Sequence, residues 1–397
     1  MDRTALRNKY AIAGVGYTPQ GKVPGRSAAS FYLEASMNAI KDAGLRKEDI
    51  DGFILYRDFP ILKGDAFHHT ANVITKSLGI RPNFLSQESY CYRTFLHKAI
   101  GAIEAGACNY VLVVFAESGR TGHRTWTDEI DTFSDKPYDE YAAYGNISAF
   151  TNYAFFCQPR DARVRHRAGR LERDRRGAPP LGQPQPHRQL LQQDPSPRRT
   201  TWPRPASPGP SAAWTPPPPR TAGAPSYITT AERAKELKNP LVTIRGFGVF
   251  NDTSKGWQLT PGDPRSSALI AGKLAYEMAG LSPKDIGAAQ IYDCYTYTVE
   301  ATLADYGFYD RKKSRDFLTV ENIGPGGDFP VNTGGGLLAE GYYMGLTPLA
   351  EGVMQMSGRC GDRQLGVMPG TKLPEFMIIS DNGGYYNSNE TMILERG

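Results

Sequence analysis

Apolar residues along the chain follow two patterns, helical spacing in some stretches and short continuous runs in others. Helical spacing occurs at 27–44, 95–107 and 268–281. Short apolar runs typical of buried strands occur at 11–17, 52–56, 110–118, 288–298, 376–380 and 391–395. Because the two patterns alternate along the chain, the sequence predicts the α/β fold class.

Two junctions between a helix and a strand share a sequence pattern. Residues 42–56 (DAGLRKEDIDGFILY) and 278–292 (MAGLSPKDIGAAQIY) match at six of fifteen positions in one ungapped register. The identical pairs are Ala43/Ala279, Gly44/Gly280, Leu45/Leu281, Asp49/Asp285, Ile50/Ile286 and Tyr56/Tyr292. The match predicts an internal duplication. The alternative is two independent units that converge on a glycine at the helix end.

One segment carries the net positive charge of the chain. Residues 158–225 hold 16 of the 30 prolines and 13 arginines, with no lysine, tyrosine or phenylalanine. The segment has a formal charge of +9, so the other 329 residues carry −4, from 33 basic and 37 acidic side chains. The basicity is therefore local, and we expect no nucleic-acid partner.

The composition of 158–225 has three interpretations. A shifted reading frame in a GC-rich gene produces such strings, and ordinary codons for 189–194 shifted by one base read Asn-Cys-Tyr-Asn-Lys-Thr. The alternatives are a disordered linker and an RNA-binding arm. The predicted organisation is one half at 1–157, an aberrant segment at 158–225 (a suspected frameshift, otherwise a disordered insert) and a second half at 226–397.

Several classes of protein are excluded by what the sequence does not contain. No apolar run approaches the roughly 20 residues of a membrane span, and the N-terminal residues lack the apolar region of a signal peptide. No glycine-rich phosphate motif follows a strand, so no nucleotide cofactor is expected. We expect a cytoplasmic protein with reduced thiols and no metal, because none of its cysteines lies in a metal-binding spacing. They are Cys91, Cys108, Cys157, Cys294 and Cys360.

Four blocks occur in a fixed order outside 158–225. They are 95–118, 291–295 (IYDCY), 332–345 (NTGGGLLAEGYYMG) and 379–386 (ISDNGGYY). In that order they resemble blocks of the thiolase superfamily: the helix and strand after the nucleophile, the His-Asp-Cys-Phe block, the Gly-His-Pro segment and the Cys-x-Gly turn. The resemblance implies a thiolase fold, with two duplicated α/β halves in a five-layered αβαβα architecture.

The catalytic residues of thiolases are not matched. Counted back from the end of the following helix, the position of the catalytic cysteine falls on Ser89, with Cys91 two residues downstream. All six histidines precede residue 188. Where the family has two histidines and a second cysteine, this chain has Tyr292, Tyr342 and Asp381. Thiolase acylation, which needs a cysteine activated by histidine, is therefore not expected by the usual route.

A thiolase-like chain with this tyrosine pair resembles the actinobacterial lipid-transfer-protein-type aldolases of steroid side-chain degradation. That resemblance implies retro-aldol cleavage of a β-hydroxyacyl-CoA to a ketosteroid and propionyl-CoA. A phenol can give or take a proton if its pKa, ordinarily near 10, is lowered by its surroundings. We assign Tyr342 as the base and Tyr292 as its acid partner or orienter, and the reverse assignment stays open.

The turn at 382–384 is the predicted oxyanion and substrate-binding site. Backbone N–H groups of Gly383 and Gly384, together with Asn382, are expected to hold the enolate oxygen. A plain β-turn is the alternative. Asp293, next to Tyr292, either orients that tyrosine or satisfies buried backbone groups.

The resemblance also implies partners. They are an acyl-CoA substrate with no separate cofactor, a second copy of the chain in a homodimer, and an OB-fold partner attached to a hydratase. Two other functions stay open. One is an acetyl-CoA acetyltransferase or lipid-transfer acyltransferase that uses Cys91 as nucleophile, and the other is a non-catalytic member that binds acyl-CoA or sterol.

Overall fold

The structure is a computed structural model that describes most of the chain outside its middle. The described ranges are 3–21, 23–56, 70–88, 94–118, 221–252, 265–341, 343–383 and 387–397. Three predicted site residues, Cys91, Tyr342 and Gly384, lie outside these ranges, as does the larger part of the arginine- and proline-rich segment, 158–220.

Helices and strands alternate as the apolar pattern predicts. The strands are β1 Tyr10–Val15, β2 Gly52–Tyr56, β3 Phe84–Glu88, β4 Val111–Ser118, β5 Thr221–Thr230, β6 Val242–Asn251, β7 Ala288–Gln290, β8 Phe376–Gly383 and β9 Ser388–Arg396. The helices are α1 Ala28–Ala43, α2 Ala71–Leu78, α3 Phe95–Glu104, α4 Ala231–Ala234, α5 Ala268–Ala279, α6 Thr296–Asp305, α7 Ser314–Phe317, α8 Val320–Ile323, α9 Gly336–Ala339 and α10 Leu346–Met356. None of the helices in the described ranges is long and apolar enough to cross a membrane.

The strands form one continuous sheet in the order β3-β2-β4-β5-β1-β6-β9-β8-β7. β2 is parallel to β3 and β4, and β7 is parallel to β8, whereas the other neighbours are antiparallel. Ala11 of β1 pairs with Thr243 of β6 at the middle of the sheet. Outward from this junction, β1-β5-β4-β2 and β6-β9-β8-β7 follow the same order, which is the arrangement that a duplicated chain produces, and β3 is an additional strand at one edge.

Strand β5 begins inside the compositionally distinct segment. Its first residues, 221–225, pair with β4 in a register that runs from Ser118 back to Val114. The boundary predicted between residues 225 and 226 therefore falls within a strand, and the N-terminal set of strands continues through Thr230. Composition registers a change of residue types but not of hydrogen-bonding partners, so it does not locate the ends of a strand.

Buried apolar side chains separate into three clusters that define five layers. Along β2, Phe53 and Leu55 share a cluster with α1 and α2, whereas Ile54 and Tyr56 face a central cluster. The central cluster contains α3 and α10 between the two parts of the sheet. Helix α5 covers the outer face of the C-terminal strands. The expected five-layered αβαβα architecture is confirmed.

The two repeat units make the same turn at the end of their first helix. α1 is followed by Gly44 at φ 75° and α5 by Gly280 at φ 70°, the left-handed conformation that favours glycine. In each unit the next N–H donates to the carbonyl five residues earlier, at 3.0 and 3.2 Å. Short 3-10 helices follow at matching places, Lys47–Asp49 and Pro283–Asp285. The predicted duplication is confirmed.

Candidate active site

The central layer changes from apolar to polar at one end of the strands. The apolar rows that face this layer on β2, β8 and β9 end in Tyr56, Asp381 and Glu390, each at most 1% exposed. Asp381 and Glu390 lie directly opposite each other on paired strands, so their side chains project from the same face. Helices α3 and α10 of the central layer begin beside these three residues. Glu390 accepts the N–H of Leu96 in α3, and Asp381 lies against Gly345 just before α10.

Tyr292 reaches the same end of the central layer from the C-terminal repeat. It lies two residues beyond β7, is 2% exposed, and its hydroxyl donates to the sulfur of Met344 at 3.5 Å. Thr298 donates to the carbonyl of Tyr292 at 3.0 Å, which ties this residue to the first turn of α6. Met344 is two residues after Tyr342, which itself lies outside the described ranges. The structure thus brings the predicted acid partner against the segment that carries the predicted base.

The backbone on both sides of position 342 is held by side-chain contacts. The hydroxyl of Thr347 donates to the carbonyl of Gly341 at 2.8 Å and accepts the N–H of Tyr343 at 2.9 Å. Met344 is fully buried and has a left-handed φ of 55°. A non-glycine residue in this region costs on the order of 1 kcal/mol, which the surrounding contacts must offset. The turn is therefore specified by its neighbours rather than by backbone preference.

Polar contacts hold residues 332–337, which precede this turn in the chain, against the end of β7. The side chain of Asn332 accepts the N–H of Ile291 at 2.6 Å and donates to its carbonyl at 3.0 Å. Asp293 accepts the N–H of Leu337 at 2.7 Å. Of the two roles open to Asp293, this contact favours satisfying buried backbone groups over orienting Tyr292.

Asp293 titrates above the ordinary range of a carboxyl group. Burial raises the pKa of Asp293 to about 6, because the ionised form loses its hydration, and hydrogen bonds from the N–H groups of Leu337 and Leu338 oppose the shift. The site thus holds, next to Tyr292 in the chain, a carboxyl that is partly protonated near pH 6.

The C-terminal hairpin sends Asp381 and Asn382 to opposite faces. Asp381 accepts the hydroxyl of Tyr56 at 3.3 Å in the central layer. Asn382 instead accepts from the side chain of Asn389 at 2.5 Å, on the outer face of the hairpin. Because successive side chains of a strand alternate, the Asn382 side chain does not face the central layer. Gly383 ends β8, so its backbone lies at the polar end of the sheet.

Three residues at this end of the fold escape the sequence analysis: Tyr56, His97 and Glu390. His97, in the first turn of α3, has its Nδ1 atom 3.0 Å from a carboxylate oxygen of the fully buried Glu390. No sequence pattern joins two residues that are 293 positions apart. For Tyr56 a signal was available, because the duplication aligns it with Tyr292.

The cysteines in the described ranges are buried and have no disulfide partner: they are Cys108, Cys294 and Cys360. Burial raises the pKa of Cys108 to about 11, with a smaller contribution from Asp51. Burial also raises the pKa of Cys360, and Glu351 adds to that shift. Because their pKa values are raised, the thiols of Cys108 and Cys360 are not nucleophilic near neutral pH. The same ranges contain no group of three or more His, Cys, Asp or Glu side chains suited to a metal ion.

Comparison with known proteins shows similarity to thiolase-like proteins and to carbon–carbon lyases. Residues 260–396 match the family described as thiolase C-terminal domain-like. A steroid side-chain-cleaving aldolase of Thermomonospora curvata is 27% identical, over 89% of this chain and 92% of that protein. A 17-hydroxy-3-oxo-4-pregnene-20-carboxyl-CoA lyase of Mycobacterium tuberculosis is 26% identical, over 94% of this chain and 99% of that protein.

A solved structure agrees with these relatives. The Ltp2–ChsH2(DUF35) aldolase superposes with a TM-score of 0.78 at 24% identity, and the match covers 98% of each chain. Together with the duplicated five-layered architecture, this superposition shows that the chain has the thiolase fold. Over most of its length the chain is similar in sequence to this aldolase of Thermomonospora curvata and to this lyase of Mycobacterium tuberculosis.

Proposed function

We propose that the chain is a carbon–carbon lyase that cleaves a steroid β-hydroxyacyl-CoA by a retro-aldol reaction, giving a ketosteroid and propionyl-CoA. The observation that carries this proposal is the hydroxyl of the buried Tyr292, which donates to the sulfur of Met344, two residues after Tyr342 in the chain. The steroid side-chain-cleaving aldolase and the 17-hydroxy-3-oxo-4-pregnene-20-carboxyl-CoA lyase, each matched over about nine-tenths of this chain, support the same reaction.

The reaction moves one proton and breaks one bond. Tyr342, as a phenolate, removes the proton of the β-hydroxyl, and the electron pair on that oxygen forms the ketone as the Cα–Cβ bond breaks. The electrons of that bond enter the thioester, and Tyr292 protonates the resulting enolate at Cα. Proton transfer from Tyr342 back to Tyr292 restores both groups. In net, one proton is lost from the β-hydroxyl and one is gained at Cα, both tyrosines return to their starting states, and no co-reactant is consumed.

The thioester carbonyl is the electron sink of this mechanism, so we propose no cofactor besides the CoA that the substrate carries. Negative charge develops on the thioester oxygen, where preorganised N–H groups stabilise it most effectively. The proposed location of these groups is the glycine turn of Gly383 and Gly384, with Asn382 before it. Exchanging the roles of the two tyrosines leaves the balance of atoms and electrons unchanged.

We extend the proposal to the assembly of the protein. The chain is proposed to form a cytoplasmic homodimer and to bind a small OB-fold protein attached to a hydratase. The name of the solved Ltp2–ChsH2(DUF35) aldolase pairs an aldolase with a second protein, which supports a partner of this kind.

The test is a direct assay of carbon–carbon cleavage. The full chain, alone and co-expressed with an OB-fold partner, is incubated with a 17-hydroxy steroid propionyl-CoA thioester, and ketosteroid and propionyl-CoA are quantified by liquid chromatography. We expect equimolar release of the two products without added CoA. If neither the chain alone nor the co-expressed preparation releases the two products, the proposal is overturned.

A matched assay separates acyl transfer from cleavage. A Tyr292→Phe/Tyr342→Phe variant is given a 3-ketoacyl-CoA and free CoA, and thioester products are followed. Full thiolysis by this variant would replace the lyase with an acyltransferase that uses Cys91. Binding of acyl-CoA or sterol with no turnover in either assay would instead indicate a carrier protein.

A further inference from the structure

Asp381 occupies a junction between the two halves of the molecule. Its carboxylate accepts the hydroxyl of Tyr56, which is 325 residues earlier in the chain. On the other side, a Cβ atom added to Gly345 would overlap the carboxyl group of Asp381. Gly345 has an ordinary φ of −64°, so the space taken by this carboxyl, and not the backbone conformation, requires a glycine there.

Tyr56 has little freedom to turn away from this contact. Its ring packs edge-to-face on Phe95 and Phe115, with ring centroids 6.0 and 6.1 Å away, and only 1% of the residue is exposed. Edge-to-face packing of this kind fixes the ring plane and hence the position of the hydroxyl. The hydrogen bond to Asp381 is therefore preorganised from the N-terminal half.

One aligned tyrosine contacts this turn directly, and the other contacts it through Asp381. Asp381 presses on Gly345, while Tyr292 donates to Met344, the preceding residue. Tyr56 and Tyr292 are the aligned tyrosines of the duplication, so the second repeat reaches the turn after position 342 directly and the first reaches it through Asp381. A continuous set of contacts thus leads from β2, through Asp381 and the turn, to the end of β7.

We propose that Tyr56 and Asp381 are positioning residues for the turn at 343–346, which directly follows Tyr342 in the chain. This inference rests on the proposed function, because it assigns the pair to the placement of the proposed base. Neither residue needs to touch the substrate. Together they hold Gly345 and Met344 in place, and through them the backbone that follows Tyr342.

The test is a double-mutant cycle on the full chain, with a matched control. Tyr56→Phe, Asp381→Asn and the double variant are compared in kcat and KM for the steroid thioester. Tyr306→Phe is the control, since Tyr306 is also a buried tyrosine, and its hydroxyl lies 2.7 Å from Thr391 on the outer face of the same hairpin. All variants are assayed below their melting temperatures.

We expect each single change to lower kcat about 10- to 100-fold with KM within about 3-fold of the wild type, because placement affects the transition state more than substrate binding. The double variant should be no slower than the slower single, because both changes break one contact. Tyr306→Phe should keep kcat within about 3-fold. The inference is overturned if kcat is unchanged in both single variants. It is also overturned if the loss of kcat in the double variant equals the product of the two single losses, or if Tyr306→Phe loses as much kcat as the single variants.

Backbone hydrogen exchange separates this inference from the proposed function. If the wild type cleaves no steroid thioester, the proposed function fails, and exchange of the peptide that spans 341–347 still tests the positioning role. Faster exchange of this peptide in Tyr56→Phe and Asp381→Asn, but not in Tyr306→Phe, supports positioning. Unchanged exchange in all three variants overturns it.

Discussion

The aligned tyrosines of the two repeat units donate to different acceptors. Tyr56 donates to the carboxylate of Asp381, whereas Tyr292 donates to the thioether sulfur of Met344. A carboxylate is a strong acceptor and a thioether a weak one. A hydroxyl proton held by a weak acceptor is more readily transferred to a substrate atom. The proposed mechanism therefore uses the tyrosine with the weak acceptor for proton transfer and the other tyrosine as a support.

The difference between the repeats arises outside the repeats themselves. The helix–glycine–strand junctions are alike, down to the left-handed Gly44 and Gly280. The two acceptors, Met344 and Asp381, come from segments that follow the second unit. Duplication therefore supplied equivalent positions, and the later segments differentiated them.

The largest expected effect is on catalysis. We expect Tyr292→Phe to lower kcat/KM for the steroid thioester about 1,000-fold, since a general acid contributes roughly 100- to 10,000-fold. This loss should exceed that of Tyr56→Phe by about tenfold or more, because a positioning residue acts only through another group. Steady-state release of propionyl-CoA measures both variants. Equal losses would remove the distinction between the two tyrosines.

A second variant tests the contact that separates the two tyrosines. Gly345→Ala places a methyl group against the Asp381 carboxyl, and overpacking of this kind should lower the free energy of unfolding by about 1–3 kcal/mol. In an Asp381→Ala background the same change should cost much less, because the carboxyl is gone. Urea denaturation of the four proteins measures this. If Gly345→Ala lowers the free energy of unfolding equally in both backgrounds, the added methyl group does not clash with the Asp381 carboxyl.

The third prediction concerns the buried carboxyl beside Tyr292. The pKa of Asp293 is raised to about 6, so its charge destabilises the folded state above that pH, and the penalty is relieved as the pH falls. Against an unfolded value near 3.9, the wild type should gain about 1.4 kcal/mol of unfolding free energy relative to Asp293→Asn between about pH 7.5 and about pH 5. Denaturation curves at several pH values check this, and a pH-independent difference would contradict it.

The smallest expected effect compares the two helix ends. Gly44→Ala and Gly280→Ala should each lower the free energy of unfolding by about 1 kcal/mol, because alanine is strained at positive φ. Gly101→Ala, in the interior of α3 with open space around its Cα, is the control and should be neutral or stabilising by up to about 1 kcal/mol. Chemical denaturation measures all three. Clearly unequal costs at 44 and 280 would show that the repeats differ at this turn as well.

Much of the fold could be predicted from the sequence because it depends on neighbours along the chain. Helical spacing that ends in glycine predicted α1 and α5, and the shared junction predicted the duplication that the structure shows. Composition marked the segment 158–225, but it did not locate the start of β5 at Thr221, since strand ends depend on hydrogen-bonding partners rather than on residue type.

For the candidate site too, some features follow from the sequence and others only from the tertiary structure. The sequence by itself determined the α/β class and the repeated unit, because these depend on local periodicity and on matched blocks. Only the tertiary structure decided that Tyr56 meets Asp381, that His97 meets Glu390, and that Asn382 faces outward. The physical reason is register: a shift of one residue between β8 and β9 would exchange the faces of Asp381 and Asn382, and that register is set by the packing of whole layers.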